Sequence, residues 1–152
     1  MKRFVALLLG CLVSAATWAQ RAEPIVNHEN VPFLTTSGKQ PTSAEFKAAV
    51  IRAGTARRWT ITDGENNQLI ATLVVRQRHT VAVTVQQTPT AFSVTYRDSV
   101  NLNFSKNKEA APDPSTPFNV KIVTTDQNVI HPNYNKWVKD FVLSIRNELR
   151  RI

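Results

Sequence analysis

Residues 68–104 read QLIATLVVRQRHTVAVTVQQTPTAFSVTYRDSVNLNF, three successive stretches in which apolar and polar side chains alternate. Alternation at period two marks a strand buried on one side, because successive side chains point to opposite faces of a sheet. Leu69, Ala71, Leu73 and Val75 share a face of the first stretch, and Val81, Val83 and Val85 share one of the second. In the third, Phe92, Val94 and Tyr96 continue in the same parity to Val100, Leu102 and Phe104. The spacing predicts an antiparallel meander.

The opposite face is small and polar: Thr72, Arg76, Thr80, Ala82, Thr84 and Gln86, then Ser93, Thr95, Arg97, Ser99, Asn101 and Asn103, with Ile70 and Val74 as apolar exceptions. Antiparallel sheets commonly cover one face and leave the other wet. Residues opposed across an antiparallel ladder lie on the same side, so parity also restricts the turns. Val75 opposite Val81 leaves an odd loop at Gln77, Arg78 and His79. Val85 near Phe92 leaves an even one at residues 87–90, where Pro89 suits a turn and not a central strand.

At the N-terminus, Met1-Lys2-Arg3 is a short positive region, residues 4–16 are apolar, and Thr17-Trp18-Ala19 places small residues where a signal peptidase reads. That order predicts a secretory signal peptide over residues 1–19. Gln20-Arg21 interrupts the apolar stretch before the roughly 20 residues a spanning helix needs, so no integral membrane span is expected in the mature chain. Leu8-Leu9-Gly10-Cys11 is a competing signal that resembles a lipobox. The expected location is periplasmic, with lipid anchoring through Cys11 as the alternative.

Residues 20–152 suffice for a single domain. Cleavage would remove Cys11 and Met1, the only Cys and the only Met, leaving no disulfide and no thiol nucleophile. It would also remove two basic residues, lowering the formal net charge from +8 to about +6. A basic exported protein is drawn to anionic lipid or another polyanion. Nucleic acid is not an expected partner, because the basic residues are scattered and no binding motif joins them.

Residues 21–36 read as an edge strand with irregular flanks, since Pro24 is best tolerated at an edge. Thr42-Ser43-Ala44-Glu45 is a capping box opening a helix. Phe46, Ala49, Val50 and Ala53 fall on one stripe of that helix, and Gly54 is expected to end it in the left-handed conformation. Residues 57–61 read as a short strand and residues 63–67 as the turn into the meander. Near residues 107–128, Pro112, Pro114 and Pro117 predict an exposed loop, with residues 118–123 as a further edge strand.

A last helix begins near His131-Pro132-Asn133. Tyr134, Trp137, Val138, Phe141, Val142, Ile145, Leu149 and Ile152 lie in one arc at helical spacing, with Lys136, Lys139, Arg146 and Arg150 opposite. The fold expected is α+β: an antiparallel β-sheet of four to five strands with two helices packed on one face, in the order β-α-β-meander-α. Trp59, Tyr96, Trp137 and Phe141 are expected in its core.

No catalytic, metal or cofactor site assembles from sequence. His28, His79 and His131 are far apart, and there is no HExxH, GxSxG, Walker loop or GxGxxG. An enzyme is disfavoured. Candidate binding residues are Thr84, Thr95, Arg97, Asn101 and Asn103 on the open face, and His131, Asn133 and Asn135 at the last helix start. The latter three either satisfy orphan amides there or line a polar pocket with Tyr96 and His79.

The densest polar-aromatic cluster is Ile130-His131-Pro132-Asn133-Tyr134-Asn135-Lys136-Trp137-Val138. Here the chain resembles a family of small exported or lipid-anchored proteobacterial proteins of unknown function. Similarity extends more loosely to Glu23-Pro24, to Arg78-His79-Thr80 and to residues 92–96 and 99–104. The resemblance implies export and brings no activity with it. The function expected is a non-enzymatic module that binds another envelope protein through its exposed sheet face. The alternative is a binder or carrier of an anionic amphiphile, a lipid or a cell-wall fragment.

Overall fold

A computed structural model describes residues 22–106 and 128–152; the signal-peptide region, nearly all of the Pro-rich loop and the strand expected at 118–123 lie outside those residues. The elements run β1 (Glu23–Pro24), β2 (His28–Pro32), α1 (Ser43–Ala56), β3 (Trp59–Asp63), β4 (Leu69–Val75), β5 (His79–Gln87), β6 (Ala91–Val100), β7 (Val129–Ile130) and α2 (Asn133–Leu149). Five strands form one antiparallel sheet in the order β2-β6-β5-β4-β3, and β1 pairs with β7 in a separate two-stranded ladder. The fold is α+β, with both helices on one face of the sheet.

The meander forms because its alternation leaves one apolar face per strand. Leu69, Ala71 and Leu73, then Val81, Val83 and Val85, then Phe92 and Val94, are buried in a single cluster with Phe46, Val50, Val138, Phe141 and Ile145 of the helices. Two turns differ from expectation in register while keeping its parity. Val75 pairs with His79, not Val81, so the loop is residues 76–78, with Arg76 and Gln77 at positive φ of 51° and 54°. Val85 pairs with Val94, so the second turn sits at residues 88–91, where the Thr88 and Ala91 backbones bond at 2.8 Å.

One parity expectation fails, and a β-bulge is the reason. Val83 pairs with Tyr96 and Ala82 with Asp98, which leaves Arg97 without a cross-strand partner. The extra residue reverses the side chains of the rest of β6, while Leu102, past the strand's end, still reaches the core. Ser99 now lies opposite Val81, with its hydroxyl 3.0 Å from the Tyr96 hydroxyl, while Val100 turns outward and is 49% exposed.

Helix α1 starts as its capping box requires. Thr42 Oγ1 accepts from the Glu45 N–H at 3.2 Å, and the Glu45 carboxylate accepts from the Thr42 N–H at 2.8 Å. That backbone bond, then the bond from the Thr42 hydroxyl, holds the Glu45 carboxyl below the usual range. The helix does not end at Gly54 but runs to Ala56, and the left-handed residue is Arg58 at φ 63°. Gly54 is buried for another reason: a Cβ there would lie 2.8 Å from Ile61 Cγ1, so its bare backbone lets α1 settle onto β3.

Across the helix pair, Arg57 Nε donates to Ser144 Oγ at 2.9 Å and Arg52 bridges Glu148 at 2.8 Å. Trp59 and Phe141 stack at 4.7 Å in the core as expected. Trp137 and Tyr96 do not join them there. Both are half-buried at its margin, Tyr96 stacking on Phe104 at 5.0 Å.

Candidate functional site

The sheet face away from the helices is organised in rows set by the register. One row is Thr62, Ile70, Thr84 and Thr95; the next is Thr60, Thr72, Ala82 and Asp98. A third joins Val74, Thr80 and Val100, in which the two valines are 57% and 49% exposed. Of the residues expected on this face, Thr84 and Thr95 lie on it, directly paired. Arg97 is the exposed bulge residue.

Asn101 and Asn103 are not on the face. They follow β6 with φ of 58° and 51°, a left-handed conformation Asn tolerates, and they redirect the chain into a cleft at the sheet end. The cleft, about 420 Å³, brings His79, Asn101, Asn103, His131 and Asn133 together. Arg76 and Trp137 complete its polar and aromatic walls, and among the described residues no acidic side chain lines it. Of the five residues joined by the pocket alternative to helix capping, His79, His131 and Asn133 line the cleft, and Tyr96 and Asn135 do not.

Hydrogen bonding fixes the state of both imidazoles when neutral. The Asn101 carbonyl, 2.8 Å from His79 Nδ1, can only accept, so His79 carries its proton on Nδ1 and leaves Nε2 as an acceptor. The Asn133 N–H, 3.1 Å from His131 Nδ1, can only donate, so His131 carries its proton on Nε2. The pair thus offers one acceptor and one donor. Asn101 is itself held by a 2.7 Å bond from its Nδ2 to the Arg78 carbonyl. His131 therefore satisfies a helix-start amide while standing in the cleft wall.

Asn135 has neither role. Its Oδ1 accepts from the Val26 N–H at 3.0 Å and its Nδ2 donates to the Pro24 carbonyl at 2.9 Å, clamping the N-terminal segment to α2. Arg76 and Trp137 were missed as cleft residues. Parity assigns Arg76 to the open face, whereas it stands in the turn at residues 76–78 with φ 51°, and Trp137 is concealed by its place on the apolar arc of α2.

A second groove, about 600 Å³, lies by the start of α1 and the β3–β4 and β5–β6 turns. Lys47 and Asp63 in its wall bind each other at 2.6 Å. Among the described residues no three His, Cys, Asp or Glu side chains are grouped to hold a metal ion, and no helix is long and apolar enough to cross a membrane. The chain matches no protein-family model, no curated protein and no solved structure.

Proposed function

We propose that this is an exported, non-enzymatic protein of the cell envelope that docks another envelope protein on its outer sheet face. The observation that carries this reading is the Val74–Thr80–Val100 row, where two exposed valines stand beside rows of threonine. A flat surface of short side chains gives up little side-chain entropy on binding, and its hydroxyls can donate to or accept from a partner. Val74 and Val100 supply exposed apolar area at the β4–β5 turn end of that face. In-cell photocrosslinking from Thr84 and Thr95 should trap an envelope protein, and the same probe at Lys47 should not. Adducts from Lys47 alone, or from none of the three positions, would defeat the proposal.

The cleft favours a second reading, in which the ligand is the anionic head of a lipid or a cell-wall fragment. Among the described residues Arg76, the His131 Nε2–H and the Asn133 amide offer donors, no acid lines the cleft against a negative charge, and Trp137 offers an apolar wall for a sugar ring or chain. Binding of an anionic muropeptide that weakens steeply with salt and is lost in Arg76→Ala would support this reading. Equal binding of a neutral analogue would refute it.

A further inference from the structure

The two edges of the five-stranded sheet are not alike. In the β3–β4 ladder the Gly64 N–H donates to the Gln68 carbonyl at 2.8 Å, and Thr62↔Ile70 and Thr60↔Thr72 continue that register. Hydrogen-bonded pairs alternate in an antiparallel ladder, so Ile61 and Asp63 aim their N–H and C=O away from β4. Among the described residues no strand lies on that side, and none of those groups has a backbone partner there. The neighbouring Trp59 carbonyl is sheltered by Gly54, whose Cβ position is 3.3 Å away.

The opposite edge, β2, carries the usual protections against strand addition. It ends in Pro32, breaks register between His28 and Val31, and holds Asn30 at φ 52° with its N–H on the Ser93 hydroxyl. β3 has no proline and no break in its pairing with β4.

We propose that β3 pairs antiparallel with β3 of a second copy, Ile61 opposite Ile61, continuing the sheet through a two-fold axis. A second copy is the occupant because the strand is charged in opposite senses at its ends. Arg57 and Arg58 precede it and Glu65 follows it, while Asp63 at its end is already neutralised by Lys47 at 2.6 Å. Antiparallel self-pairing sets the basic end of each copy beside the acidic end of the other, twice over by symmetry. The edge is short, so the dimer is weak, concentration-dependent and loosened by salt.

In this register Thr60 of one copy faces Thr62 of the other as a non-hydrogen-bonded pair, with Cβ atoms ~4.5–5.5 Å apart, near enough for a disulfide after small adjustment. Both threonines are exposed, so cysteine there leaves the core intact. In a Cys11→Ser background, mixing Thr60→Cys with Thr62→Cys chains under mild oxidation should give the mixed disulfide in preference to either self-crosslink. Thr72→Cys, one strand inward on the same face, should give none. Sedimentation of the Cys11→Ser chain should show mass rising from monomer to dimer with concentration and falling back with salt. Glu65→Arg should weaken the dimer by roughly three- to tenfold, with Arg58→Glu restoring it in the same chain. Monomer at every concentration, self-crosslinks as abundant as mixed ones, or crosslinking from Thr72→Cys would each overturn the proposal.

Discussion

Tyr134 is fully buried against Tyr96 at 5.6 Å, and its hydroxyl has no hydrogen-bond partner among the described residues. Burial, then the nearby Tyr96 phenol, pushes its pKa upward, so it stays protonated and pays a desolvation cost without return. Tyr134→Phe should therefore raise stability by about 1 kcal/mol or more, read as a higher denaturant midpoint at unchanged slope. A lower midpoint would mean that the hydroxyl has a partner in solution. His28 on β2 behaves in the opposite sense to a salt-bridged group. Burial first, then the charge of Lys139, holds its imidazole below the ordinary 6.5. The unfolded chain takes up that proton before the folded one does. Stability is thus whole above about 6.5 and falls as the pH drops from there through the folded pKa. Chemical denaturation across mildly acid pH should show this fall, and His28→Gln should flatten it; an identical slope in the variant would remove His28 as the cause. Glu45, also held low, loses its contribution only in more acid solution, as the pH falls through its own depressed value.

The helices and strands separate what alternation can encode from what it cannot. Gly54 stands at a place where a stop signal and a close-packing signal look the same in sequence, and only the approach of Ile61 decides between them. Helix propensity alone would have Gly54→Ala stabilise by up to about 1 kcal/mol. The new methyl would instead meet Ile61 at 2.8 Å beside a backbone carbonyl at 3.3 Å, so a net loss of stability is expected, the overpacking penalty being roughly 1–3 kcal/mol. A thermal melt above wild type would show that α1 can lift from β3 at no cost. In α2, the apolar arc was readable at 3.6 periodicity, but depth along it was not. Phe141 is wholly buried and stacked on Trp59, whereas Trp137 reaches the cleft wall. Phe141→Ala should cost about 3–5 kcal/mol and Trp137→Ala distinctly less, compared by denaturant midpoint. The reverse order would contradict this packing.

At the scale of the whole chain, parity carried the meander and the capping box carried α1, because both depend on neighbours close in sequence. The strand order was not readable. β2 lies beside β6, and β1 meets β7 near the other end of the chain, pairings that no local pattern encodes. The cleft was partly readable: the pocket alternative set His79 beside His131 and Asn133, while Asn101, assigned by parity to the open face, joins them only through the turn after β6. Asn135 shows what holds the distant ends together. It binds Pro24 and Val26, the Ile25 N–H reaches the Asn128 carbonyl at 2.9 Å, and β1 contributes only two residues to its ladder. A ladder that short has little stability of its own, so the clamp decides whether the segment stays down. Asn135→Ala should cost about 1–3 kcal/mol and speed amide exchange at Ile25 and Val26, while Val83 and Val85 in the central strand keep their protection. Asn135→Asp, which keeps the acceptor for Val26 but loses the donor to Pro24, should fall between the two. Exchange accelerated equally at Val26 and Val83 would mean that the N-terminal segment opens only when the entire sheet does, and that Asn135 is one more part of a single cooperative unit.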